Sequence, residues 1–171
     1  ISLVERQVSV LRARNRDMRQ RLARLLDTAR DNDRLFHKTR QLVLDILAES
    51  TVAGVVNATL SSLRDDYQVD TCACLLIAET AGSLSSDTLD AGNVRLETTS
   101  DTHAAIGALL HSRQPVCGHL RPSETAFLFP DAGSQVQSAA IVQLFDGDTL
   151  MGVLAIGSFD ADQYRSGSGT L

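Results

Sequence analysis

The chain of 171 residues carries a formal net charge of −5 and is 43% hydrophobic, which suits one folded domain with an accessory segment. No apolar run approaches the ~18 residues that a membrane-spanning helix requires, so a role as a bilayer span is excluded. The three cysteines, Cys72, Cys74 and Cys117, form an odd set within apolar stretches, which suits reduced thiols and a cytoplasmic location better than a disulfide framework.

The charge is divided along the chain. Residues 1–30 hold eight arginines against Glu5, Asp17 and Asp27, a balance of +5, leaving −10 for the remainder. In the same stretch Ile1, Val4, Val8, Leu11, Met18, Leu22, Leu25 and Ala29 recur three and four apart, with Asn15 filling one slot. This spacing predicts a heptad seam with Ile1, Val8, Asn15, Leu22 and Ala29 at a and Val4, Leu11, Met18 and Leu25 at d, followed by the polar Asn32. β-Branched residues at a, leucine-like residues at d and an asparagine at a favour a parallel two-stranded coiled coil. A helical stalk over residues 1–32 is therefore expected to dimerise through Val4, Val8, Leu11, Asn15, Met18, Leu22 and Leu25, the alternative being that its apolar stripe packs on its own domain or on an acidic protein partner. Arg12, Arg14, Arg19 and Arg21 flank the seam with like charges, but exposed charges are screened by salt. A nucleic-acid-contacting stalk is the alternative use of these arginines. The stretch lacks lysine and aromatic residues, which favours a solvated face over a nucleic-acid contact.

Leu35, Phe36, Thr39, Leu42, Val43, Ile46 and Leu47 continue helical spacing to Ala48. Ser50 reads as the N-cap of a second helix, lined by Val52, Val55, Val56, Leu60 and Leu63 as far as about Asp66. Both apolar faces are expected to cover a sheet. Thr71 to Ala78 is apolar on both alternating faces, as in a central strand. Glu79 to Gly92 reads as a polar loop, and Val94 to Glu97 as a strand with one wet side. A short helix from Ser100 or Asp101, carrying Ala105, Ile106, Leu109 and Leu110, ends near His111, which is placed to interact with its C-terminal end. Pro115 to Leu120 reads as a strand; Ala139 to Phe145 and Leu150 to Phe159 form a hairpin across Asp146-Gly147-Asp148. The result is an α+β chain with an antiparallel sheet flanked by helices.

Gly152 and Gly157, followed by Ser158, have the outline of a phosphate-binding loop, but the lysine such a loop needs is replaced by Ser158-Phe159. The intervening Val153-Leu154-Ala155-Ile156 is a buried-strand pattern, where glycine admits a close neighbour.

The element order from Leu35 onward, and the closing hairpin in particular, resembles a GAF domain. More narrowly, "GVLAIGSFDADQYRSGSGT", "PVCGHL" and "NDRLFHKTRQLV", in that family's order along the chain, resemble the bacterial GAF-like family called domain of unknown function four-eight-four. Gln163 and Ser168 stand where a basic residue and a methionine are more usual. The resemblance implies a long N-terminal helix followed by one GAF-like domain over residues 33–171, with its terminal helix beyond Thr170. It implies either a sensory module that binds a small metabolite or a structural dimeric adaptor whose pocket is filled. The residue set of the cyclic-nucleotide-binding members is missing, Lys38 being the only lysine.

Within that frame the most chemically loaded stretch is Cys117, His119 and Arg121, which would share one face of a strand, with Phe127 and Phe129 from the next loop as a lid. Arg121 would suit an anionic metabolite. Cys72 and Cys74 with Cys117 and His119 have the wrong spacing for a structural zinc site, and no metal or cofactor is expected. No nucleophile elbow, histidine pair or paired carboxylates stands out, so the chain is expected not to be an enzyme.

Overall fold

A computed structural model describes residues 3–77, 79 and 93–165. The chain divides into two compact units, residues 1–43 and 44–171. The first is helical throughout its described residues. Helix α1 runs Leu3–Ala48 over 46 residues without interruption, about 70 Å at ~1.5 Å per residue. It buries none of its residues. Within the second unit Leu47, expected to help cover the sheet, is exposed, and that expectation is corrected there.

Helix α2, Val52–Asp65, starts at Thr51, one residue later than expected, because the Thr51 hydroxyl accepts the Gly54 amide at 3.0 Å. Its Val56, Leu60 and Leu63 pack on Cys72, Cys74 and Leu76 of strand β1, Thr71–Ile77. The other strands are β2 (Val94–Glu97), β3 (Val116–Gly118), β4 (Ser138–Asp146) and β5 (Thr149–Ser158), and the described strands form one sheet in the order β2-β1-β5-β4-β3. The pairs β1–β5, β4–β5 and β3–β4 are antiparallel, with the β4–β5 hairpin closing at Gly147 (φ +56). The edge pair β1–β2 is parallel. The sheet is thus mostly antiparallel rather than wholly so, because Val94 to Glu97 returns in the direction of β1, which a two-residue turn cannot achieve. The polar loop expected over Glu79 to Gly92 lies, apart from Glu79, outside the described residues, as does the chain beyond Arg165.

The opposite face of the sheet carries α3 (Thr99–Ile106), a 3₁₀ turn (Gly107–Leu109) and α4 (Pro122–Leu128). Ile106, Leu128 and Phe129 pack there on Ala73, Leu75, Ile141, Val153 and Ala155. Strand β1 is accordingly buried from Cys72 to Ile77, as its unbroken apolar run implies. His111 Nδ1 lies 2.6 Å from the Gly107 carbonyl oxygen at the end of the α3 segment, where it was expected. Helix α4 stands where a loop is expected from the sequence. It forms because Pro122 sits in its first turn and the Glu124 carboxylate reaches back to accept the Arg121 amide at 2.8 Å. Gly152 belongs to β5, and a Cβ there would stand 2.5 Å from the Leu75 carbonyl oxygen. The glycine serves strand packing and not phosphate binding.

Candidate functional site

Strand register decides where the candidate pocket residues point. Cys117 pairs with Ala140, Ala140 with Ile156 and Ile156 with Cys72, so Cys117 shares the α2 face of the sheet. Strand β3 ends at Gly118, whose φ of +145 turns the chain away. His119 and Arg121 therefore leave the strand. His119 is exposed and its Nδ1 lies 2.6 Å from the Gln137 carbonyl oxygen, while Arg121 is the N-cap of α4.

Phe127 and Phe129 lie on the other face. Phe129 is 2% exposed in the core below α4. Phe127 is half-buried beneath Arg95, whose guanidinium sits 5.0 Å from the ring centroid and donates to the Phe127 carbonyl oxygen. The same guanidinium pairs with Glu97 at 3.3 Å. The sheet itself thus separates Cys117 from the two aromatics, and the five residues do not line one wall. The physical reason is the short β3: a common face at two-residue spacing requires extended strand through Arg121.

A shallow cleft of about 330 Å³ lies beside Arg121, lined by Leu120, Pro122, Thr125, Ala126, Gly133, Ser134 and Val136. It is bounded by α4 and the turn after it, which folds back because the Gly133 amide donates to the Phe129 carbonyl oxygen at 2.7 Å. A Cβ on Gly133 would come within 2.7 Å of the Thr125 carbonyl oxygen, so this close turn depends on glycine.

A second arrangement, unforeseen from the sequence, gathers the polar residues of the closing segment. The Ser158 hydroxyl and the Phe159 amide both donate to Asp70, at 2.7 and 2.9 Å. The Ser138 hydroxyl donates to the Asp160 carbonyl oxygen at 2.5 Å and accepts the Tyr164 amide at 3.3 Å. The Ser158 hydroxyl, and then the Phe159 amide, hold the Asp70 carboxyl below its ordinary range. Burial pushes the Tyr164 phenol up, with the charges of Asp70 and Cys117 adding to it. The network straps the 159–164 turn to the end of the sheet. Its one sequence signal was Ser158 after Gly157, but the partner Asp70 lies 88 residues away.

Cys72 and Cys74 are buried free thiols. Burial raises both, Cys74 to about 11, so they pack as neutral apolar groups. Among the described residues no three His, Cys, Asp or Glu side chains are grouped to hold a metal ion. No described helix is long and apolar enough to cross a membrane.

Every described residue of α1 from 3 to 37 is exposed, the seam residues among them. Val4, Val8, Leu11, Met18, Leu22 and Leu25 are exposed, Met18 to 68%, and Asn15 is exposed with them.

Over residues 1–171 the sequence matches the family described as "Protein of unknown function, DUF484". No curated protein matches it.

Proposed function

We propose for this chain, which belongs to the DUF484 family, the role of a non-catalytic regulatory module of the cytoplasm that dimerises through α1. One observation carries the reading: a 46-residue helix whose apolar residues fall at a and d and find nothing within the first unit to cover them. Isolated helices are held mainly by packing of their apolar face, so a partner surface is required. A second copy offers the same seam.

Native mass spectrometry of the purified full chain tests this. The expected result is a dimer that becomes monomeric in Leu22→Glu/Leu25→Glu, with Asn15→Leu tightening or changing the oligomer. A wild-type monomer would overturn the reading, and an Asn15→Leu mass distribution identical to wild type would remove the seam.

A second reading, metabolite sensing, is supported by the cleft beside α4. Its lining of Leu120, Pro122, Ala126 and Val136 suits an apolar group. In this mechanism the ligand biases the packing of the two subunits and α1 reports that bias. A discrete extra mass on the dimer, lost in Ala126→Trp, supports sensing; a dimer without extra mass favours the structural adaptor. Binding of nucleic acid by the α1 arginines would fall steeply with salt, and no binding at low salt dismisses it.

A further inference from the structure

The heptad frame of α1 does not stop at Asn32. Phe36 and Val43 fall at a, and Thr39 and Ile46 at d, in the same frame and within the same unbroken helix. The seam therefore runs the whole length of α1 with no insertion that would unwind a supercoil. The dimer's orientation can then be read from the residues beside the seam.

In a parallel pair each g residue faces the e residue that follows on the other helix. Arg14 then meets the partner's Arg19, twice by symmetry. Gln7 meets the partner's Arg12, Thr28 the partner's Asp33 and Leu35 the partner's Arg40. No opposite charges meet anywhere along the seam.

In an antiparallel pair a faces d, so Asn15 can be answered by the partner's Asn32. That single choice fixes the register of every other layer. Val4 meets the partner's Val43, Leu11 the partner's Phe36, Met18 the partner's Ala29 and Leu22 the partner's Leu25. The largest side chains meet smaller ones, as interdigitation needs. At the flanks e now faces e. Arg12 meets the partner's Asp33 and Glu5 the partner's Arg40, each twice, while Arg14 lies against the partner's Leu35, over which its aliphatic stem can pack. Sliding by one heptad one way sets Asn15 against the partner's Leu25 and Arg19 against its own copy. Sliding the other way sets Asn32 against the partner's Leu22 and Arg12 against the partner's Arg40.

We infer that two copies of α1 pair antiparallel, with Asn15 opposite Asn32 and Arg12 paired with Asp33, rather than in the parallel arrangement that Asn15 alone favours. This rests on the dimer proposed above, and charge complementarity supplies its orientation.

Pulsed dipolar spectroscopy on the full chain, carrying Ser9→Cys with a nitroxide label and Cys117→Ser, measures the orientation. The antiparallel register places the two labels about 45 Å apart. A separation below about 25 Å means a parallel pair and overturns the inference while leaving the dimer standing. Absence of any intermolecular coupling means a monomer and removes both. In sedimentation equilibrium Asp33→Arg should raise the dimer Kd about three- to tenfold, with Arg12→Asp in the same chain restoring it. A double variant no tighter than the single would break the register.

Discussion

Helix α1 and the sheet unit use similar apolar side chains to opposite ends. In the sheet unit Leu60, Leu75, Ile77 and Ile141 are wholly buried, whereas in α1 Leu11, Leu22 and Leu25 are more than half exposed. The sheet unit satisfies its hydrophobic pattern inside one chain. The stalk carries an equally regular pattern with nothing from its own unit to bury it. The heptad repeat thus leaves its apolar side chains uncovered within its own unit, while strand alternation closes a core.

The largest test of this contrast is truncation at matched residues. Leu75→Ala should cost about 2–5 kcal/mol of sheet-unit stability in denaturant unfolding, whatever the protein concentration. Leu25→Ala should change that unfolding by less than ~0.5 kcal/mol at dilutions where the chain is monomeric, its effect showing instead as a weaker dimer. Equal, concentration-independent losses from both would break the comparison.

Next in size is Gly152→Ala, which forces a methyl against the Leu75 carbonyl oxygen and should cost about 1–3 kcal/mol by overpacking. Unchanged unfolding would mean that β1 and β5 are not so closely paired.

Removing the Ser158 hydroxyl should cost about 1 kcal/mol, read as a shift in denaturant midpoint. The Asp70 end of the same contact is pH-dependent. Its folded carboxyl titrates below the ordinary value of 3.8, so its contribution is present above that value and lost as pH falls through the folded one. The stability difference between the wild type and Asp70→Asn should therefore be full near neutrality and shrink in acid. A difference that grows on acidification would contradict the strap.

The smallest effect concerns the thiols. Half-buried Cys117 should be alkylated first under native conditions, with Cys72 and Cys74 reacting after unfolding. Rapid labelling of Cys74 in the native state, followed by peptide mass spectrometry, would show that α2 does not stay closed over β1.

Much of the fold was legible from residues alone: the full reach of α1 to Ala48, the double burial of β1 and the hairpin at Gly147. Each rests on a local repeat or turn residue. Helix α4 was not legible, since seven residues with Phe127 and Phe129 two apart resemble a loop or strand as much as a helix. The contact of Arg95 with Phe127 spans 32 residues, and nothing local to either announces it. The candidate pocket failed for a similar reason. Two-residue spacing predicts a shared face only while a strand continues, and β3 ends at Gly118.

By itself the sequence determined the reach of α1, the run of β1, the closing hairpin and which positions are apolar, because periodicity is set by local backbone geometry. The tertiary structure alone decided that Cys117 and Phe129 lie on opposite faces of the sheet, that β2 joins parallel to β1, and that Asp70 straps the closing turn. Those outcomes depend on pairing between residues distant along the chain, and the competing registers differ by hydrogen bonds and packing that no short stretch of sequence contains.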